Sequence, residues 1–258
     1  MGSAAVYFLP HVPKCAGSTI INHMRLHRDQ VVIITEKSQR HSVDISERST
    51  LENVRFFAGH YLPRTAVKIF LGQEIREIGL LRDPVGYFQS LYAFNIRTSA
   101  RRDRAMTMDF DFWYRCHRKN PISHFLLSRY FRMPAVQELL MSQNQTLDFL
   151  SRQLDRFWFV GSYRHCNLLL DALSEEFQIG HAVEDKNVSR DNFVLSRRRR
   201  DMIRDDNRLD QALYEIWADR CWRGGNVARS AVGLSSWNRK MVDEASVCVA
   251  RIERHLIA

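Results

Sequence analysis

Apolar residues along the chain cluster into short runs separated by stretches with helical spacing. The runs typical of buried strands cover residues 6–9, 31–35, 56–58, 78–81 and 158–161. Short strands that alternate with helical stretches are characteristic of βα units. The pattern therefore predicts an α/β fold with a mostly parallel central sheet flanked by helices.

Beyond about residue 85 the apolar residues follow helical spacing, so the C-terminal half is predicted to be rich in helix. The helical stretches are VGYFQSLYAFNI, PISHFLLSRYF, AVQELLMSQ, QTLDFLSRQL, NLLLDALSEEF, LDQALYEIWADRCW and MVDEASVCVARIERHL. Residues 38–49 and 98–109 are polar and are expected to be surface loops. The four arginines 197–200 are expected to open a helix after Ser196.

Chain length sets the expected domain organisation. A chain of 258 residues and 30.3 kDa can bury one sizeable core, so residues 1–258 are expected to form a single domain. Helices within residues 195–258 are expected to form an annex that serves either a binding site or an oligomer interface. The sequence does not decide whether the chain forms a homo-oligomer.

The hydropathy of the chain and its cysteine spacing are those expected of a cytoplasmic protein. No apolar run approaches the roughly 18–20 residues of a membrane span, and the N-terminus has no secretory signal pattern. The five cysteines are widely spaced and include no CxxC pair, which favours reduced thiols and no metal site. We therefore expect a cytoplasmic location and no transmembrane segment.

The net positive charge of the chain indicates which kinds of partner it can bind. A net charge of +9 attracts anions such as nucleic acid, acidic polysaccharide or a phosphate-bearing cofactor. The sequence has no helix-turn-helix, zinc-finger or aromatic RNA-binding signature, so nucleic acid is not the expected partner.

The segment HVPKCAGSTI, residues 11–20, connects the first predicted strand to a predicted helix. Backbone N–H groups at such a helix start bind phosphate, and Gly17 would allow an anion to approach closely. Ser18 and Thr19 would add hydroxyls and Lys14 a positive charge. The motif differs from the ATPase P-loop, in which the lysine follows the last glycine. The alternative is a plain turn in which Ser18 caps the helix and Lys14 lies in solvent.

A second strand-to-helix segment, IGLLRDPVGYFQSLYAF, covers residues 78–94. Arg82 could contact phosphate oxygens with two N–H groups, Ser90 could donate a hydroxyl, and Pro84 is suited to a helix start. In the alternative interpretation, Asp83 caps the helix and Arg82 pairs with a carboxylate.

The two segments together resemble the sulfotransferases that use 3′-phosphoadenosine 5′-phosphosulfate (PAPS), and HVPK is most similar to the carbohydrate branch. The resemblance spans about residues 5–195 and implies a core like that of P-loop NTPases. It implies that Lys14 stabilises the bridging oxygen as the sulfonyl group leaves, and that Arg82 and Ser90 hold the 3′-phosphate. It also implies that the 5′-phosphosulfate is wrapped by Lys14, Cys15, Ala16, Gly17, Ser18 and Thr19.

Two further segments extend this resemblance. FFAGHYLP resembles the Gly-His segment of heparan sulfate 2-O-sulfotransferases, which implies that His60 is the catalytic base; His11 is the competing candidate. The segment KNVSRDNF resembles the late loop that closes over the nucleotide, which implies that Lys186, Ser189 and Arg190 are ligands. An imidazole suits a base role because its pKa is near 6.5.

The expected activity is transfer of the sulfonate of PAPS to a hydroxyl, or less often an amine, of a carbohydrate or glycolipid acceptor. The transfer is in line, the product is adenosine 3′,5′-bisphosphate, and no metal is expected. An acidic acceptor is one option that the basic runs favour. The alternatives are a nucleotide or sugar kinase with a modified phosphate loop, and a non-catalytic protein that binds nucleotides or nucleic acid.

Overall fold

A central sheet of five parallel strands forms the core of the computed structural model, which describes residues 5–25, 30–34, 54–70, 72–100, 109–180 and 193–217. The strands are β1 Val6–Pro10, β2 Val31–Ile34, β3 Phe56–Gly59, β4 Ile75–Leu81 and β5 Phe159–Ser162. They are arranged in the order β2-β3-β1-β4-β5. Each predicted strand is confirmed, and so is the α/β class with its parallel sheet.

Helices connect and follow the strands. They are α1 Gly17–Met24, α2 Pro84–Ala100, α3 Phe110–Arg115, α4 Pro121–His124, α5 Ala135–Leu140, α6 Gln143–Leu154, α7 Cys166–Phe177, α8 Arg197–Asp206 and α9 Arg208–Trp217. A π-helix, Phe125–Tyr130, continues directly from α4, and Arg64–Phe70 form 3-10 turns.

Most helix predictions that fall on described residues are confirmed, including the start of α8 after Ser196, whose Oγ accepts a hydrogen bond from the N–H of Arg199 at 3.3 Å. The loop predicted from residue 98 is wrong for its first three residues, because α2 continues to Ala100. The predicted loop 38–49 and the predicted helix 241–256 lie outside the described residues.

Helices α1 and α7 cover the face of the sheet that carries Tyr7. His23 Nε2 of α1 and Ser174 Oγ of α7 are 2.9 Å apart in this layer. The register between β1 and β4 places Arg76 beside Tyr7. The Nη1 of Arg76 donates to the Tyr7 hydroxyl at 2.5 Å and to the carboxylate of Glu176 in α7 at 2.6 Å. The charged start of β4 is therefore tied to α7.

The opposite face carries Phe8, and Glu77 lies beside it in β4. Both carboxylate oxygens of Glu77 accept hydrogen bonds from Arg64 at 2.8 Å, and one also accepts from the Tyr130 hydroxyl at 2.6 Å. Because these contacts satisfy a buried carboxylate, β4 begins three residues before the apolar run that predicted it.

The strand order makes the chain leave the carboxyl ends of β1 and β4 in opposite directions. From β1 the chain runs toward β2 and β3, whereas from β4 it runs toward β5 on the other side. Adjacent strands whose connections diverge in this way leave a crevice at their carboxyl ends, where ligands of open parallel sheets bind. The segment before α1 and the segment before α2 meet at this crevice.

The described residues belong to a compact unit that spans Met1–Gly225, and a second unit, Asn226–Ala258, lies outside the described residues. Within the described ranges, no helix is both long and apolar enough to cross a bilayer.

Candidate active site

The segment between β1 and α1, residues 11–16, has an unusual backbone. Lys14 and Ala16 both adopt left-handed conformations, with φ of 62° and 64°. Residues other than glycine rarely adopt this conformation, which costs of order 1–3 kcal/mol each and is concentrated at ligand-binding sites. We call residues 11–16 together with the first turn of α1 the anion loop.

Helix α1 begins at Gly17, and Ala16 occupies the N-cap position without a side-chain hydrogen bond. The first N–H groups of a helix have no partner one turn earlier. In α1 the N–H of Thr19 donates to the carbonyl of Ala16 at 3.0 Å, and the N-cap side chain accepts from neither Gly17 nor Ser18. The alternative in which Ser18 caps the helix is wrong, because Ser18 is an exposed residue inside the first turn. The start of α1 is therefore open to an anion.

Gly17 has a steric role that the sequence did not indicate. A Cβ on this residue would lie 2.1 Å from Cδ2 and 2.8 Å from Cγ of His11. The absence of a side chain at Gly17 was expected to leave space for an approaching anion. In the structure the imidazole of His11 occupies this space.

The other residues of the anion loop differ in what they can offer a ligand. The thiol of Cys15 is buried in the main core, and burial raises its pKa, so only its backbone can face an anion. The hydroxyl of Ser18 is exposed and that of Thr19 is half-buried. Ala16 is half-buried and contributes backbone alone.

Arg82 follows β4 and joins the second predicted segment to the first. Its Nη1 donates a hydrogen bond to the backbone carbonyl of Lys14 at 2.9 Å, and its guanidinium lies 4.1 Å from the ring centroid of Tyr163. Its Nε is buried and has no hydrogen-bond partner within the described residues. A Cβ on Gly86 would lie 3.0 Å from this Nε, so the donors that remain for a ligand are those of the two terminal amino groups.

The alternative interpretation of the Arg-Asp-Pro segment holds only in part. Asp83 does cap α2, since its Oδ1 accepts a hydrogen bond from the N–H of Gly86 at 2.7 Å. Arg82, however, pairs with no carboxylate in the part of the chain that the structure describes. Ser90 is half-buried on α2, and no hydrogen bond between described residues joins it to Arg82 or Lys14.

Lys14 is half-buried against α2, which excludes the alternative in which it extends into solvent. Its Nζ lies 4.2 Å from the ring centroid of Phe94. Burial lowers the pKa of Lys14, and the positive charges of Arg97 and then Arg82 lower it further. Three cations thus share this corner, an arrangement that a bound anion would stabilise.

His60 follows β3 and has a defined tautomer. Its Nδ1 lies 2.5 Å from the backbone carbonyl of His11. Because a carbonyl can only accept, Nδ1 carries the proton and Nε2 keeps its lone pair in the neutral ring. Burial lowers the pKa of His60, and the hydrogen bond to His11 opposes this effect. His60 is an exposed residue, and the lone pair on Nε2 is suited to accept a proton.

The competing base, His11, is less accessible. Its imidazole is buried and stacks on that of His60, with ring centroids 4.1 Å apart and planes 21° apart. Burial, followed by the charges of His60 and Lys14, lowers the pKa of His11 to about 3. The geometry therefore favours His60 as the base.

Sequence reasoning missed three residues around this site: Phe94, Arg97 and Tyr163. Helical spacing was the available signal for the first two, because residues 90, 94 and 97 fall on one face of α2. Nothing in the sequence indicated that Tyr163 would stack on Arg82. The predicted ligands Lys186, Ser189 and Arg190 lie outside the described residues.

A second surface feature of the described residues lies on α8. A hollow of about 680 Å³ on α8 is lined by Arg197, Arg198, Asp201, Met202, Asp205 and Asp206, none of which is a predicted site residue. Opposite charges lie close together in its lining, as in the pair of Arg197 Nε and Asp201 Oδ2 at 3.8 Å. Within the described ranges, no group of three or more His, Cys, Asp or Glu residues is placed to hold a metal ion.

Comparison with known proteins adds no family assignment. No protein-family model matches this chain, and no curated protein matches it in sequence. The arrangement of the anion loop, Arg82 and His60 is therefore the basis for any statement about function.

Proposed function

We propose that this protein is a PAPS-dependent sulfotransferase of the carbohydrate branch, with a core of the P-loop NTPase type. The observation that carries the proposal is the hydrogen bond from Arg82 to the Lys14 carbonyl. It joins the two segments that resemble the 5′-phosphosulfate loop and the 3′-phosphate segment of that family. The strand order β2-β3-β1-β4-β5, with the anion loop after the central strand, supports the proposed core type.

The donor set fits a ligand with two phosphate groups. The N-terminus of α1 and Lys14 would hold the 5′-phosphosulfate, and the terminal amino groups of Arg82 together with Ser90 would hold the 3′-phosphate. Arg97 adds a third positive charge beside Lys14. PAPS supplies the sulfonate as the donor substrate of this reaction.

Each residue then has a defined task. His60 Nε2 accepts the proton of the acceptor hydroxyl as that oxygen forms its bond to sulfur. Lys14 and the amides of α1 stabilise the negative charge that develops on the 5′-phosphate as the bond between sulfur and the bridging oxygen breaks. Arg82 and Ser90 orient the nucleotide so that the attacking and leaving oxygens lie in line.

The acceptor is proposed to be a hydroxyl of a carbohydrate or glycolipid. Support comes from the exposed side of His60, which allows a large substrate to approach, and from the resemblance of FFAGHYLP to the carbohydrate branch. The positive charge around Lys14 would also favour an acidic acceptor.

Ligand-dependent thermal unfolding tests this proposal. At 100 times its dissociation constant, adenosine 3′,5′-bisphosphate should stabilise the protein by about 2.7 kcal/mol and raise Tm by roughly 5–10 °C. ATP and random duplex DNA should have smaller effects. Transfer of labelled sulfate from PAPS to a panel of glycans completes the test. Stronger stabilisation by ATP, with no transfer to any glycan, would support a kinase and overturn the proposal.

A further inference from the structure

His11 connects the two halves of the proposed site. It directly follows β1, and its N–H donates to the carbonyl of Gly59 at 3.0 Å, which ties it to the end of β3. Its own carbonyl accepts the Nδ1–H of His60. Its ring occupies the space that a side chain on Gly17 would fill. One residue therefore contacts both the start of α1 and the base.

These contacts leave the His11 ring little freedom to move. On one side it lies against Gly17, close enough that even a methyl group would collide with it. On the other side it stacks on His60 at 4.1 Å. A displacement of the α1 start by an anion would therefore be transmitted through the ring to His60, because packed groups in contact cannot move independently.

The ring of His11 also covers one face of the His60 imidazole, with ring centroids 4.1 Å apart. Stacking removes water from one face of the His60 imidazole, and desolvation disfavours its charged form. Among the described residues, the rings that face His60 are those of His11 at the end of β1 and of Phe125 in the π-helix, the latter an apolar ring at 6.5 Å. Lys14 lies beyond His11, and Arg129 packs on the neighbouring Tyr61 at 5.0 Å. Within the described residues, no carboxylate pairs with His60.

We propose that His11 is a positioning residue that couples the anion loop to the base: its ring, held between Gly17 and His60, orients His60 and keeps it neutral. The inference rests on the proposed function only in naming His60 as the base. The packing that carries it is independent of any substrate.

The first test is an NMR titration of His60 in the wild type and in two His11 variants. His11→Phe keeps a flat ring in the stack, so the pKa of His60 should stay lowered. His11→Ser removes the ring and admits water, so the pKa of His60 should rise toward the value of a free imidazole. In the pH profile of the transfer rate, the decline at low pH should therefore begin at a higher pH in His11→Ser. An unchanged His60 pKa in His11→Ser would overturn the proposal.

The second test is a double-mutant cycle between Gly17→Ala and His11→Ser. Alone, Gly17→Ala should weaken binding of adenosine 3′,5′-bisphosphate about tenfold or more, because the new methyl group collides with the ring. In the His11→Ser background the same change should cost less than about threefold. Equal losses in both backgrounds would mean that the space at Gly17 serves the anion, which would also overturn the coupling.

The two proposals can fail separately in these experiments. If the bisphosphate does not bind the wild type, the proposed function fails, whereas the NMR titration of His60 still reports on the stack. Circular dichroism of each variant identifies any that does not fold. For the Gly17 pair, thermal unfolding then replaces ligand binding as the readout of the cycle.

Discussion

The guanidinium of Arg82 donates a hydrogen bond to the backbone carbonyl of Lys14 at 2.9 Å, across 68 positions of sequence. This contact bridges the carboxyl ends of β4 and β1, the adjacent strands from which the chain diverges. It places the anion loop and the segment before α2 at one edge of the sheet. A ligand with two separated phosphate groups could therefore contact both segments at once.

Arg82→Ala should weaken binding of adenosine 3′,5′-bisphosphate about tenfold to hundredfold, since a charged hydrogen bond contributes roughly 1.5–3 kcal/mol. Isothermal titration calorimetry measures the effect. Arg82→Lys should recover only part of the affinity, because a lysine cannot reproduce the guanidinium fork. Arg204→Ala, which removes an exposed arginine of α8, is the matched control. Wild-type affinity in Arg82→Ala would remove the 3′-phosphate assignment.

Lys14→Ala should lower the rate of sulfate transfer by about 10²–10³, the usual effect of losing one group that stabilises transition-state charge. Binding of the bisphosphate should decrease less, because the amides of α1 remain. Single-turnover kinetics with PAPS separates the two effects. Lys68→Ala, an exposed lysine of the turns before β4, serves as the control. Unchanged turnover in Lys14→Ala would contradict the catalytic role.

Arg97→Ala should raise the pKa of Lys14, because the charge of Arg97 lowers that pKa more than the charge of Arg82 does. The same variant should bind the bisphosphate about three- to tenfold more weakly, as expected for loss of one partly screened charge. Rates of Lys14 modification as a function of pH report its pKa. Arg208→Ala, an exposed arginine of α9, should change neither quantity. An identical Lys14 pKa in both variants would exclude the influence of Arg97.

His60→Ala should abolish turnover while the bisphosphate still binds, because the role proposed for the ring is to accept a proton from the acceptor. In the wild type the base is active when neutral, and its pKa is lowered, so the rate should stay high as pH falls below 6.5 and decline only at lower pH. The pH profile of kcat/KM measures this limb. A fully active His60→Ala would transfer the role of base to another group.

The free energy of unfolding should depend on pH because of His11. Its pKa is about 3 in the folded protein and 6.5 for an imidazole in water, so only the unfolded chain binds this proton between those values. The contribution of His11 is therefore complete above pH 6.5 and decreases by about 1.4 kcal/mol per pH unit as pH falls toward 3. Urea unfolding of the wild type and of His11→Phe at each pH measures the difference.

The wild type and His11→Phe must be compared at the same pH, because Asp210 changes the stability of the protein with pH in the opposite direction to His11. Burial raises its pKa from 3.8 to about 6, so its contribution to stability is present below pH 3.8 and is lost as pH rises through 6. Both proteins contain Asp210, so its effect cancels in the difference. A difference that does not vary with pH would show that His11 titrates normally.

Local patterns were sufficient for the strands and for the two anion-binding segments. Short apolar runs that are flanked by turn residues favour buried strands, and a serine before a helix-forming stretch favours a helix start. The five strands and the start of α8 were therefore predictable. The first residues of β4 were not, because Arg76 and Glu77 are acceptable in a strand only through partners distant in sequence. The left-handed conformations of Lys14 and Ala16 likewise have no local sequence signal.

The sequence by itself determined the α/β class, the anion loop and the positions of Lys14, Arg82 and His60 along the chain, because these depend on local periodicity and motif spacing. Only the tertiary structure decided what those residues contact. The parallel order of strands brought Arg82 to the Lys14 carbonyl, α2 placed Phe94 and Arg97 against Lys14, and the ends of β1 and β3 stacked His11 on His60. Such contacts depend on which strands become neighbours, and that is settled by packing of the whole chain.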